Sequence, residues 1–169
     1  MKYVYRDSNC FIGHLKNEEN GREAREGVLQ AVERGEAKIV TSAFTLVEVV
    51  KGKAREKDGP AYVRFDSGSK AALEECFSPD NGVLIVNVDL AVASKARQAV
   101  WDNNVDPKDA IHVGSALQFK NVAMADGDEL VFHTFDRKLV KRANGCGGIR
   151  FCAPSVSEFP YQPSLDTEM

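Results

Sequence analysis

Four acids in this chain sit where a carboxylate is costly. Asp7 directly follows the strand-like run Lys2 to Arg6, Glu48 interrupts the apolar run 44–50, Asp109 falls in the first turn of an otherwise apolar helix, and Asp136 follows the apolar run 130–135. A charged group beside core segments needs a compensating partner, and one divalent cation can satisfy several carboxylates at once. All-oxygen ligands favour the hard ions Mg2+ and Mn2+, and no Cys or His cluster has the spacing of a zinc motif. One or two such ions can activate a water, neutralise a scissile phosphate and steady the leaving oxygen of an in-line displacement.

Asp109 places its helix most clearly. Asp106 is a good N-cap and Pro107 suits the first helical position, where its missing amide hydrogen is not needed, while Ala110, Ile111, Val113, Gly114 and Leu117 form a packing face. Taken alone, Asp109 could simply complement the helix dipole; its three companions argue for a shared site. His112, three residues further on a packed helix, reads as a core or supporting histidine rather than a general base, and His14 and His133 read the same way.

The elements that must position these acids alternate between two periodicities. Lys2 to Arg6 reads as a buried strand that delivers Asp7, Ser8 and Asn9 at its carboxyl end, and Ala24, Val28, Leu29 and Val32 mark an amphipathic helix over 21–34. Residues 37–41 form a second strand, and Ser42 caps a third helix with Phe44, Val47 and Val50 as its core stripe and Glu48 on its edge. Lys51, Lys53, Arg55 and Lys57 follow; if the helix continues, Lys51 and Arg55 share one face, either as a solvated helix end or as a phosphate clamp. A helical stripe from Tyr62 to Phe77 gives a helical hairpin inserted at about residues 59–81.

Further along, residues 83–88 are a strand, and Asp89 caps a helix whose apolar face Trp101 closes. Asp126-Gly127-Asp128 is a turn, not a calcium loop, because its acids run out after two. Residues 130–134 form another strand, Asp136 opens a short helix, and residues 149–153 make a last edge strand. The predicted class is α/β: a single domain over residues 1–153 with a mainly parallel central sheet flanked by helices. Residues 154–169, with Pro160 and Pro163 among polar residues, form a loosely docked or disordered tail. In such sheets the working site lies beyond the carboxyl ends of the strands, where all four acids can converge.

Composition is that of a soluble globular chain, with 43% apolar and 28% charged residues and no run approaching the roughly 20 apolar residues that span a bilayer. The charge at Asp7 interrupts the N-terminus before any signal-like segment develops, so a cytoplasmic location is expected. Cys10, Cys76, Cys146 and Cys152 are accordingly read as reduced and structural. The net charge of −3 includes −4 from the four acids, leaving +1 elsewhere, and Glu158, Asp166 and Glu168 lie in the tail. The acidic total therefore does not exclude a phosphate-rich partner.

In order and spacing, Asp7-Ser8-Asn9, Glu48 on an apolar helix, Asp109-Ala110-Ile111-His112 and Thr134-Phe135-Asp136-Arg137 resemble the PIN-domain family over about residues 1–153. The resemblance implies a compact PIN-like fold and metal-dependent cleavage of RNA, and many small members are the toxins of VapBC-type toxin-antitoxin pairs. It makes Asp7, Glu48, Asp109 and Asp136 the catalytic, metal-binding acids. Ser8, Asn9, Thr134 and His112 support them, and Lys51, Lys53, Arg55 and Lys57 are the candidate RNA contacts. Mg2+ or Mn2+ is the implied cofactor; RNA is the implied substrate, and an antitoxin protein and a second copy of the chain are candidate partners.

Two rival readings differ in kind. A phosphatase using Asp7 as nucleophile needs a second acid two residues on, where Asn9 stands instead. A non-catalytic PIN-like module that binds RNA or protein has no physical reason to hold four like charges in one pocket.

Overall fold

The structure, a computed structural model, describes residues 1–15, 19, 21–49, 51–52, 63–64, 67–78 and 81–163. Its centre is a five-stranded sheet: β1 (Lys2–Arg6), β2 (Ala37–Ser42), β5 (Val83–Val86), β6 (Glu129–His133) and β7 (Arg150–Cys152), in the order β5-β2-β1-β6-β7. Every pairing is parallel, so each connection must cross over a face, and the helices that do so cover both sides. These helices are α1 (Ser8–Leu15), α2 (Arg22–Glu33), α3 (Ala43–Glu48), α4 (Ser67–Cys76), α5 (Leu90–Asn103), α6 (Pro107–Ala123) and α7 (Arg137–Ala143). None of the helices among the described residues is long and apolar enough to cross a membrane.

Alternation along the central strands splits the core in two. Tyr5, Val40, Leu130 and Phe132 face one layer with the apolar sides of α5 and α6, while Val4, Ile39 and Val131 face the other with Phe11, Val28 and Ala31. Tyr5, Phe132 and Phe151 are register partners on β1, β6 and β7 and stack with ring centroids 4.6 Å apart at both steps. On the same layer, a Cβ at Gly114 would lie 2.6 Å from the Val92 carbonyl oxygen, so glycine is what lets α6 approach α5 this closely.

Several expectations change. Residues 154–163 do not trail away: Phe159 is buried, Gln162 exchanges two hydrogen bonds with Gln30 at 2.7 and 2.9 Å, and the Phe159 carbonyl oxygen rests where a Cβ at Gly27 would be. One aromatic anchor outweighs the nearby prolines. Of the expected helical hairpin at about residues 59–81, the described residues hold one helix, α4 from Ser67, while Val63–Arg64 form β4, paired antiparallel with β3 (Lys51–Gly52); residues 59–62 and 65–66 lie outside the described residues. Because α3 stops at Glu48, Lys51 lies on a strand rather than a continuing helix face; Lys53, Arg55 and Lys57 fall outside the described residues. Val47 and Trp101 are exposed, the latter under the Arg97 guanidinium at 4.8 Å, whereas Thr45 and Val49 turn inward. The Asp106 carboxylate pairs with Arg142 at 3.2 Å instead of capping α6.

Candidate active site

The sheet order reverses direction between β1 and β6: from β1 the chain moves outward to β2 and β5, and from β6 outward to β7. That is where a crevice opens at the carboxyl edge of a parallel sheet. Asp7 leaves the end of β1, Asp136 follows the end of β6, Glu48 closes the helix after β2, and α6 brings Asp109 and His112 across the opening.

Asp7 is almost fully buried, with Oδ1 accepting from the Cys10 amide at 3.2 Å and a further hydrogen bond from the Thr134 hydroxyl. Burial raises its carboxyl above the ordinary range, against the lowering influence of His112 and these two donors. Thr134 accepts from the Asp136 amide at 3.0 Å, so one buried hydroxyl links two of the acids. The Asp136 carboxylate caps α7, accepting from the Lys138 and Leu139 amides at 2.7 and 3.2 Å. Asp109 is half-buried and its carboxyl is pushed up, first by burial and then by the negative charge of Asp136 and Asp7, with His112 opposing.

Glu48 is held on both oxygens. Lys108 Nζ lies 2.6 Å from Oε1 and His112 Nε2 lies 2.6 Å from Oε2, and Ser8 adds a hydrogen bond. Burial by itself would raise this carboxyl; the bonds from His112 and Lys108 override it and bring the pKa to about 2. The other nitrogen of His112 meets the Tyr5 hydroxyl at 3.0 Å. Both ring nitrogens are thus engaged, Nε2 with the Glu48 carboxylate and Nδ1 with the Tyr5 hydroxyl, so the imidazole bridges α3 and β1. The histidine therefore orients Glu48, as its position on a packed helix suggested.

The four acids, Ser8, Thr134 and His112 thus lie at one edge of the sheet, whereas Asn9 is exposed at the start of α1 and belongs to none of these hydrogen bonds, and Lys53, Arg55 and Lys57 lie outside the described residues. Two participants were not foreseen. Lys108 stands four residues before His112, the helical step that puts both on Glu48, and Tyr5 is the polar-tipped aromatic in β1 two residues before Asp7.

The donors are all oxygen, and the Asp109 carboxyl, raised first by burial and then by the charges of Asp136 and Asp7, is one whose ionised form a divalent cation would favour, so the residues fit a hard ion. They are not drawn together on one: no three of the four acids offer donor atoms within 4.8 Å of one another. Two of them are instead occupied by Lys108, His112 and the α7 amides.

Among protein families, the PIN domain model matches residues 4–145. No curated protein matches the chain. Solved structures that resemble it include VapBC2 from Rickettsia felis bound to a DNA fragment from their promoter, with TM-score 0.59 and 12% identity over 92% of this chain and 100% of that one. DNA-bound VapBC from Salmonella typhimurium has TM-score 0.57 and 18% identity over 92% and 100%. A toxin-antitoxin complex from Klebsiella pneumoniae has TM-score 0.51 and 18% identity over 90% and 98%.

Proposed function

Because the chain belongs to the PIN-domain family, we propose that it is a metal-dependent endoribonuclease, hydrolysing RNA phosphodiester bonds at the crevice beyond β1 and β6. The observation that carries this reading is geometric: Asp7 and Asp136 leave the carboxyl ends of the neighbouring strands β1 and β6, tied through the one Thr134 hydroxyl, with Asp109 on α6 near enough to feel both charges.

Asp7, Asp109, Asp136 and Glu48 are the residues that would hold Mg2+ or Mn2+, with the exposed Lys108 ammonium the competitor for Glu48. When bound, the cation supplies Lewis-acid activation of water and neutralises the phosphate charge. The protein's own part is positioning. The Thr134 hydroxyl ties the Asp7 carboxylate to the Asp136 backbone amide, Ser8 and His112 fix Glu48, and Tyr5 fixes His112. Hydrolysis supported by a bound cation would need no attack by the substrate 2'-hydroxyl, so the products should carry 5'-phosphate and 3'-hydroxyl ends.

We further assign Lys51, Lys53, Arg55 and Lys57, which follow Glu48 in the chain, to the RNA phosphates. The likeness to VapBC and other toxin-antitoxin complexes supports a toxin role with an antitoxin protein as partner. A non-catalytic binding module is the second reading, favoured by the grip of Lys108 and His112 on Glu48. Incubating the purified chain with single-stranded RNA separates the two: cleavage that appears with Mg2+ or Mn2+ and stops in EDTA supports the nuclease, and no cleavage under any ion supports the module.

A further inference from the structure

A second group of ligand-type side chains lies on the opposite face of the sheet from Tyr5 and His112. His133 ends β6 and Cys152 ends β7, and the two are register partners, so in parallel strands their side chains leave the sheet on the same side. The docked C-terminal segment crosses that side and lowers Glu158 onto them. Donor atoms of His133, Cys152 and Glu158 all lie within 4.8 Å of one another, the one such group of three among the described residues.

Each partner has features of a ligand. His133 is fully buried; Nε2 lies 2.8 Å from Glu158 Oε2, while Nδ1 has no hydrogen-bond partner at all. The Glu158 contact is therefore the imidazole's one hydrogen bond, and it aims Nε2 into the cluster. Arg150 pairs with Glu158 Oε1, leaving Oε2 to point into the cluster, the outer support that ligating carboxylates usually receive. Cys152 is a free, half-buried thiol whose sulfur faces the Arg150 Nη1 at 3.4 Å.

We propose that His133, Cys152 and Glu158 form a binding site for a zinc-class transition-metal ion, separate from the acidic crevice. One nitrogen, one sulfur and one oxygen donor suit a borderline ion such as Zn2+ and do not suit Mg2+. Tetrahedral zinc separates neighbouring donor atoms by about 3.3–3.6 Å, between the 2.8 Å His133–Glu158 contact and the 4.8 Å limit of the group. Small rotations of Glu158 and Cys152 close the site, and water completes the fourth position. On binding, the Cys152 thiol releases its proton to solvent and the thiolate bonds the ion, with no change of oxidation state. The ion would tie β6 and β7 to the segment that carries the buried Phe159, so metal binding and docking of that segment are linked.

The test uses the full chain, treated with EDTA, dialysed and kept reduced with a phosphine, then titrated with Co2+ and afterwards with Zn2+. One equivalent of Co2+ should give the thiolate-to-metal charge-transfer band and the strong visible bands of a tetrahedral site, all abolished when Zn2+ displaces it. Cys152→Ser should lose the charge-transfer band. Glu158→Gln should weaken Co2+ binding by more than the roughly 10–100-fold typical of losing an outer support, and Asp109→Asn should leave the spectrum unchanged. The proposal is overturned by a native chain without charge transfer, by an undiminished band in Cys152→Ser, or by unchanged affinity in Glu158→Gln.

Discussion

His112 and Glu48 are joined by a 2.6 Å hydrogen bond between helices α6 and α3, and behind it the Tyr5 hydroxyl holds the other side of the imidazole at 3.0 Å. Strand β1, helix α6 and helix α3 are thereby locked by polar contacts at the floor of the crevice. His112→Phe should remove about 2–4 kcal/mol of stability, because it strands the Tyr5 hydroxyl and one Glu48 oxygen. Tyr5→Phe should cost about 1 kcal/mol in the native background and less in the His112→Phe background. Urea unfolding of the four proteins checks it; strictly additive losses would mean that the contacts do not act as a chain.

The crowding of Asp109 by Asp136 and Asp7 has a sign that stability can report. In EDTA, Asp109→Asn should melt above the native protein, since it removes a carboxylate whose charged form the fold disfavours. With Mg2+ or Mn2+ the order should reverse, because an ion at a hundredfold excess over its dissociation constant adds about 2.7 kcal/mol to the native protein. Scanning calorimetry with and without metal tests both arms, and equal metal-induced shifts in the two proteins would place the ion elsewhere.

Lys108 competes for the oxygen that a cation would take on Glu48. Its ammonium is largely exposed although Glu48 is not, so the pair is worth about 1 kcal/mol and Lys108→Ala should tighten Mg2+ or Mn2+ binding by about two- to fivefold. Calorimetric titration reads this directly. Weaker binding in the variant would show that Lys108 supports the site rather than blocking it.

The basic run after Glu48 should carry part of the phosphate contact. Lys51→Ala with Arg55→Ala should weaken binding to single-stranded RNA and lower the slope of log affinity against log salt by about one to two. Filter binding across a salt series measures it; an unchanged slope would make the run an ordinary solvated surface.

What could be read before folding was the position of acids relative to apolar runs. Asp7 and Asp136 sit just past strands whose burial is written in consecutive apolar residues, and Pro107 marks where the helix carrying Asp109 begins. What depended on pairing was hidden. Nothing local tells that Cys152 will lie beside His133, because strand register brings them together, or that Phe159 will anchor a segment whose prolines suggest a free tail. The phase of α3 was also misplaced: it has only six residues, too short for periodicity to fix a face, and Thr45 rather than Val47 is buried.

The central claim is hydrolysis at the Asp7, Glu48, Asp109 and Asp136 crevice, and the ends of the cut RNA test it most directly. End-labelled single-stranded RNA incubated with the native chain and Mg2+ or Mn2+ should yield fragments with 5'-phosphate and 3'-hydroxyl ends. Asp109→Asn, nearly isosteric and natively folded by circular dichroism, should lower the rate by about two orders of magnitude or more. Fragments ending in 2',3'-cyclic phosphate, or a rate untouched by Asp109→Asn, would contradict it.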